Sequence, residues 1–300
     1  MNSIIRLPRE LIFPNRFITV LVVISKGLGM TEESFSLRLH FSGGDANHHM
    51  LDAYDGSTSL HGFAQALQIA TNAYINQDIT NYSTALKNAK VYMRPARQGS
   101  FIADFTTVIT RKPKGVTVNA PTFYDFITFA FNQAVGRTPT APKTAYVDSL
   151  IGPDKPFFDD LAEHLEGSLQ RAHRVISEGG VTEVSVQRPR GEQLVEFDQE
   201  TSLWVNTRST DAFPQIFTGN ITRFNSVSPN GRAFIDSFGI IVPFKRSIDF
   251  PEGKRGLLSW SLHGSNLDTK KKLEIEARKV ESSNGIVKRL IISDCNHIEE

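Results

Sequence analysis

The chain has 300 residues, 40% of them hydrophobic and 22% charged, and its 33 basic and 32 acidic side chains leave a net charge of +1. That length supports two modest cores in a globular protein, and the near-neutral balance excludes the strongly basic surface of a dedicated duplex binder. The single cysteine, Cys295, excludes an internal disulfide or a cysteine-based metal cluster and fits a reducing, cytoplasmic compartment, while the early apolar run Phe17–Ser25 is too short to span a bilayer.

Residues 1–29 read as an N-terminal extension, because the first clear element begins just after Met30. In "FSLRLHF" the apolar Phe35, Leu37, Leu39 and Phe41 alternate with polar positions, the period of a half-buried strand. A Gly-Gly turn follows, and then a helix over roughly 58–76 with Leu60, Phe63, Leu67, Ala70 and Tyr74 on one face and Asp55 or Ser57 as its cap. Val91 and Met93 lead into a turn and then into "SFIADFTTVI", a β-hairpin.

The segment Ala120–Gly136 is apolar on nearly every side, which predicts a buried helix closed by Gly136. A second clear helix carries the stripe Phe158, Leu161, Leu165, Leu169, Ala172 and Ile176, with Asp154 as its cap and Gly179–Gly180 at its end. A strand, "VTEVSVQ", precedes a Pro/Gly-rich break near residue 190, where we expect an α+β domain of residues 30–190 to end. Residues 191–300 break into short apolar runs, among them "LVEFD", "SLWVNT", "GNITRF", "RAFIDSF", "GIIVPF", "LLSWSL" and "VKRLIIS", and predict a small antiparallel β-barrel or sandwich, the barrel being the assignment adopted. The fold class is therefore α+β: strands, a hairpin and three helices, followed by the barrel.

Candidate chemistry is sparse. The stretch "HFSGGDANHHM" offers a ligand or anion contact at Gly43, Gly44 and Asp45, and Arg94 and Arg97 at the hairpin tip are a second phosphate-gripping candidate. His48 and His49 are adjacent and point apart, so one ion does not take both, and no metal site is assigned. Asp159, Asp160 and Glu163 read as acids favoured by the helix dipole. No nucleophile elbow, Walker-type loop or dinucleotide fingerprint occurs, and no cofactor is implied.

The segment "TGNITRFN", with "NGRAFI" and "IIVPF" after it, resembles the first three strands of a cold-shock domain, an OB-type barrel. That resemblance implies base stacking by Phe224, Phe234 and Phe244, with Arg223, Arg232, Lys245 and Arg246 supplying charge; Arg223 stands where that family has an aromatic residue, and Ala233 where it has a glycine. The arrangement of residues 34–295, with its "SLHGFAQAL" helix and "GSF" hairpin, also resembles uncharacterised two-domain bacterial proteins, which implies a bacterial or mobile-element origin and no defined chemistry. These observations together predict a non-catalytic cytoplasmic interaction protein with a protein partner and no membrane association, its oligomeric state open. Single-stranded nucleic-acid binding through the barrel is the alternative, and a metal-dependent hydrolase centred on His40, Asp45 and His49 is the third reading.

Overall fold

Alternation in β1 (Glu33–Ser42) sends Phe35, Leu37, Leu39 and Phe41 to one side, where all four are buried, and Arg38 to the other, where its Nε meets Asp104 at 2.9 Å. In the computed structural model, which describes residues 32–79, 86–94, 101–111, 115–151, 155, 157–189, 191–224, 229–266, 271–283 and 285–298, this strand is the centre of a five-stranded sheet. The extension at 1–29 and the cap Asp154 lie outside the described residues.

Helix α1 (Ala53–Asn76) begins earlier than expected because Asp52 caps it, accepting from the backbone N–H groups of Tyr54 and Asp55 at 2.9 Å each. The hairpin forms as β2 (Ala89–Met93) against β3 (Ile102–Ile109). Helix α2 (Ala120–Ala134) is capped by Asn119 and closes at Gly136, whose φ of 79° lets the N–H of Arg137 reach back to the Asn132 carbonyl at 2.9 Å. A short α3 (Ala145–Ser149) follows, and then α4 (Phe157–Ala172), which buries Phe158, Leu161, Leu165 and Leu169. Gly62 of α1 faces the end of α4 so closely that a Cβ there would sit 2.4 Å from the Ala172 nitrogen, so only a hydrogen fits where the two helices cross.

The stripe expected to continue through Ile176 belongs to two helices, α4 and α5 (Arg174–Ser177), with His173 between them. Its ring is fully buried, contacts the Leu169 carbonyl at 2.7 Å and Thr201 Oγ1 at 3.0 Å, and packs on Phe197. Strands β4 (Glu183–Gln187) and β5 (Gln193–Phe197) complete the sheet in the order β2-β3-β1-β4-β5, antiparallel throughout. "SLWV", read as a strand, is instead helical in α6 (Gln199–Val205): Asp198 accepts from the Thr201 N–H while Thr201 Oγ1 accepts from the Asp198 N–H, a reciprocal cap that outweighs the local alternation. Both β5 and α6 come after the break near 190, yet Leu194, Val195, Phe197 and Val205 are buried in the first core, so that core extends to Val205.

The rest is the barrel. Strand β6 (Thr207–Thr210) is followed by β7 (Gln215–Phe224), β8 (Asn230–Ile235), β9 (Ile240–Arg246), helix α7 (Arg255–Asn266), β10 (Leu273–Ser282) and β11 (Val287–His297). The order β11-β9-β8-β7-β10 closes on itself through β10–β11, with β6 added beside β10. Four of the five barrel pairings are antiparallel, and the β9–β11 pair is parallel. "LLSWSL", read as a strand, lies within α7: Leu258 and Ser261 are buried one turn apart, and Ser261 Oγ accepts from the Ile221 N–H and donates to the Lys271 carbonyl. Two separate hydrophobic clusters result, one for the α+β body and one inside the barrel. No helix among the described residues is long and apolar enough to cross a membrane.

Burial drives the pKa of His173 down to about 4. The folded state therefore resists a proton that the unfolded chain takes up near pH 6.5, so full stability holds above pH 6.5 and is lost progressively as the pH falls from 6.5 to 4. The slope is about 1.4 kcal/mol per pH unit. Denaturant titrations at pH 7 and pH 4.5 should show a loss of stability in the wild type that is smaller in His173→Gln by about 2 kcal/mol.

Candidate functional site

Helix α4 has a second face. Asp159, Asp160, Glu163 and Glu166 recur at helical spacing on the side away from its buried leucines, and they point at the outer surface of the barrel. Arg223 of β7 pairs with Asp159, and Arg232 of β8 reaches the same carboxylate through Nε at 3.0 Å and through its Nη2. Lys245 of β9 meets Glu163 at 3.2 Å. Lys288 and Arg289 of β11 both pair with Glu166, and Arg289 also reaches Glu163 at 3.5 Å. The Asn230 amide donates to Asp160. Three carboxylates on one helix thus pair with five cations drawn from four strands, and a fourth, Asp160, accepts from a neutral amide.

Between these surfaces runs a groove of about 430 Å³. Its walls include Trp204, Pro243, Ile240, Ile241 and Ile286 as well as the charged groups, and the three isoleucines are about half exposed. Trp204 packs over Gly136 so tightly that a Cβ there would meet the indole at 2.2 Å, which fixes one end of the groove to the close of α2.

Burial sets the electrostatics. It lowers the pKa of Arg223 to about 10, with neighbouring Arg232 adding to the effect, and it lowers those of Arg232 and Lys288 as well, in the last case against the pull of Glu166. It raises the pKa of Asp160, offset in part by the Asn230 hydrogen bond. Lys288 has only 6% of its side chain exposed and Glu166 14%, so these charges are held largely out of water.

The structure sorts the sequence candidates. Arg223, Arg232 and Lys245 come together on the barrel face under α4, and Phe234 lies on the same outer face, two residues along β8 from Arg232. Phe224 and Phe244 do not face a ligand as expected: both side chains are buried in the barrel interior, Phe244 by alternation with Val242 and Phe224 because the irregularity between Ile221 and Arg223 shifts the alternation by one residue. Arg246 lies apart, its guanidinium near the rings of Phe224 and Phe250 and an oxygen of Glu252 at 3.7 Å.

The Gly43–Gly44–Asp45 turn is occupied by the protein itself. The Gly43 N–H donates to Asn47 and the Asp45 N–H to the Gly180 carbonyl, and a Cβ on Gly43 would meet Thr182 Oγ1 at 2.0 Å, so the glycines serve a close approach of two backbone segments at φ values of 79° and 49°. Arg94 is exposed, two strands away at the same end of the sheet, and Arg97 lies outside the described residues. His40 sits on β1 between Ile102 and Ser185, while Asp45 and His49 are on the exposed turn; among the described residues no group of three His, Cys, Asp or Glu side chains gathers to hold a metal.

Sequence reasoning missed Lys288, Arg289 and Glu166. The i, i+4, i+7 recurrence of Asp159, Glu163 and Glu166 was the available signal for an acidic face with a partner, since a solvated helix face usually carries both signs.

The family model for a domain of unknown function, DUF7946, matches residues 37–206, which run from within β1 to the residue after α6. No curated protein and no solved structure matches the chain.

Truncating one member of a desolvated pair leaves the other charge stranded. Glu166→Ala should cost about 3 kcal/mol in urea denaturation, and adding Lys288→Met should restore part of that loss, because the double variant no longer buries Lys288 unpaired while Arg289 keeps its contact with Glu163. Strict additivity of the two single changes would show that the pair is not coupled.

Proposed function

The chain belongs to the DUF7946 family, and we propose that this member is a non-catalytic binding protein whose ligand face is the groove between α4 and the barrel. The observation that carries this reading is the opposition of four carboxylates and five cations around a groove rimmed by half-exposed isoleucines. Asp159, Glu163 and Glu166 are engaged in ion pairs with the barrel cations while Asp160 accepts from Asn230, an arrangement suited to recognition, and the volume falls within the range of about 300–1,000 Å³ common to ligand pockets.

The partner we favour is a protein segment. Ile240, Ile241 and Ile286 offer apolar anchoring beside groups of both signs, the mixture found at the centre and rim of protein interfaces. The setting we favour is cytoplasmic: Cys295 is buried, and burial pushes its thiol up to about 11, which leaves it an inert core residue in a reducing compartment. Panning a random peptide library against the chain should enrich peptides that bind the wild type and lose binding to Ile240→Asp/Ile241→Asp. Enriched peptides that bind both equally would overturn the groove as the ligand face.

A second reading has its own support. The closed barrel order β7-β8-β9-β11-β10 supports an OB-type reading, and barrels of that class bind oligonucleotides across their second and third strands, here β8 and β9. Arg232, Phe234 and Lys245 all lie there. Fluorescence anisotropy with single-stranded RNA and DNA should show little binding by the unaltered chain at near-physiological salt. Tight binding with a steep salt dependence would replace the protein-partner reading with this one.

A further inference from the structure

We propose that the barrel face covered by α4 is a binding site for single-stranded nucleic acid, and that the carboxylates of the helix occupy the phosphate positions until the helix is displaced. This rests on the OB-type reading of the barrel and adds a reason why the intact chain is closed.

The first ground is an asymmetry of pairing. Among the described residues, the ion-pair partners of Arg223, Arg232, Lys245, Lys288 and Arg289 are all carboxylates of α4, and none belongs to the barrel. Removing the helix would therefore expose five cations spread over β7, β8, β9 and β11 with no acid of their own domain beside them. A surface of that kind tracks a polyanion. Guanidinium groups bind carboxylate and phosphate through the same paired donors, so a carboxylate helix and a phosphate backbone are alternative occupants of one site.

The second ground is Phe234. Strand alternation places it on the outer face with Arg232 two residues before it, and Ile241 lies opposite it on β9. It is partly exposed, in contrast to Phe224 and Phe244 inside the barrel. One aromatic face beside a row of cations is the combination that accepts a stacked base while the backbone follows the charges. An acidic polypeptide would use the cations and leave the ring idle.

The third ground is the character of the contact. The two cores are separate clusters, so helix and barrel share no hydrophobic interior, and the side-chain contacts of α4 with the barrel are ion pairs and the Asn230–Asp160 hydrogen bond. Ion pairs at an interdomain surface are weakened by salt and by a competing polyanion in a way that a fused core is not.

The test uses the full chain. Asp159→Asn/Glu163→Gln/Glu166→Gln keeps the helix and its hydrogen-bonding shapes but removes three charges. A labelled single strand of about 15 nucleotides should bind this variant about tenfold or more tightly than the wild type, with a log–log salt slope approaching about −3. Adding Arg232→Ala or Lys245→Ala should take most of the gain away, and Phe234→Ala should weaken nucleic acid binding but not the binding of poly-glutamate. Should the triple variant fold poorly, Glu163→Gln alone, at the most exposed carboxylate of the three, should give a smaller gain in the same direction.

Equal binding by wild type and variants would overturn the masking while leaving an open nucleic acid site in place. No binding by any variant would overturn the site itself and leave the peptide reading of the groove intact. A gain shared equally by poly-glutamate and indifferent to Phe234→Ala would overturn the ligand class in favour of an acidic polypeptide.

Discussion

Much of this molecule depends on the two-sided character of α4. One side of that helix supplies Phe158, Leu161, Leu165 and Leu169 to the first core, and the other presents Asp159, Asp160, Glu163 and Glu166 to the barrel. A helix that must satisfy both surfaces has little freedom to rotate, because a turn of one residue about its axis, near 100°, would expose leucines and bury carboxylates in a hydrophobic interior. Its position is fixed further by Gly62 of α1, which admits the Ala172 backbone at a distance no side chain would allow. The sheet, the helix crossing and the groove are in that sense consequences of one amphipathic pattern.

The balance of forces differs between the two sides. The apolar side gains from burial at about 25 cal/mol per Å² and is not subject to charge screening by salt. The charged side gives back in desolvation much of what it gains in attraction, and the lowered pKa values of Arg223, Arg232 and Lys288 express that cost. Specificity of placement is therefore the larger contribution of the ion pairs, and the hydrophobic side carries most of the stability.

The periodic elements were legible in the sequence where one signal dominated. β1 follows from Phe35, Leu37, Leu39 and Phe41, α4 from its leucine stripe, and the end of α2 from Gly136. Two segments misled for the same reason: "SLWV" and "LLSWSL" alternate over a few residues, and in each a polar contact made elsewhere decided for helix, Asp198 with Thr201 in one and Ser261 with the β7 backbone in the other. The site was only half legible. Arg223, Arg232 and Lys245 were visible as a local basic cluster, but their partners are about 60 to 80 residues earlier and Lys288 about 40 residues later, and no local period connects such distances. The inward turn of Phe224 and Phe244 depends on β-strand register, including an irregularity between Ile221 and Arg223, which sequence alternation alone does not reveal.

The junction between the two bodies is very short. Asn206 alone separates α6 from β6; its carbonyl accepts from the N–H and the hydroxyl of Ser283, and its side chain donates to the Ser202 carbonyl. With so little chain to pay out, helix and barrel cannot diffuse apart, and any separation is a pivot about a single residue. Short tethers hold joined surfaces at effective concentrations in the millimolar range. A ligand in solution thus contends with a neighbour that never leaves, and the occupancy of the groove is governed by that local excess as much as by any intrinsic affinity of the ligand.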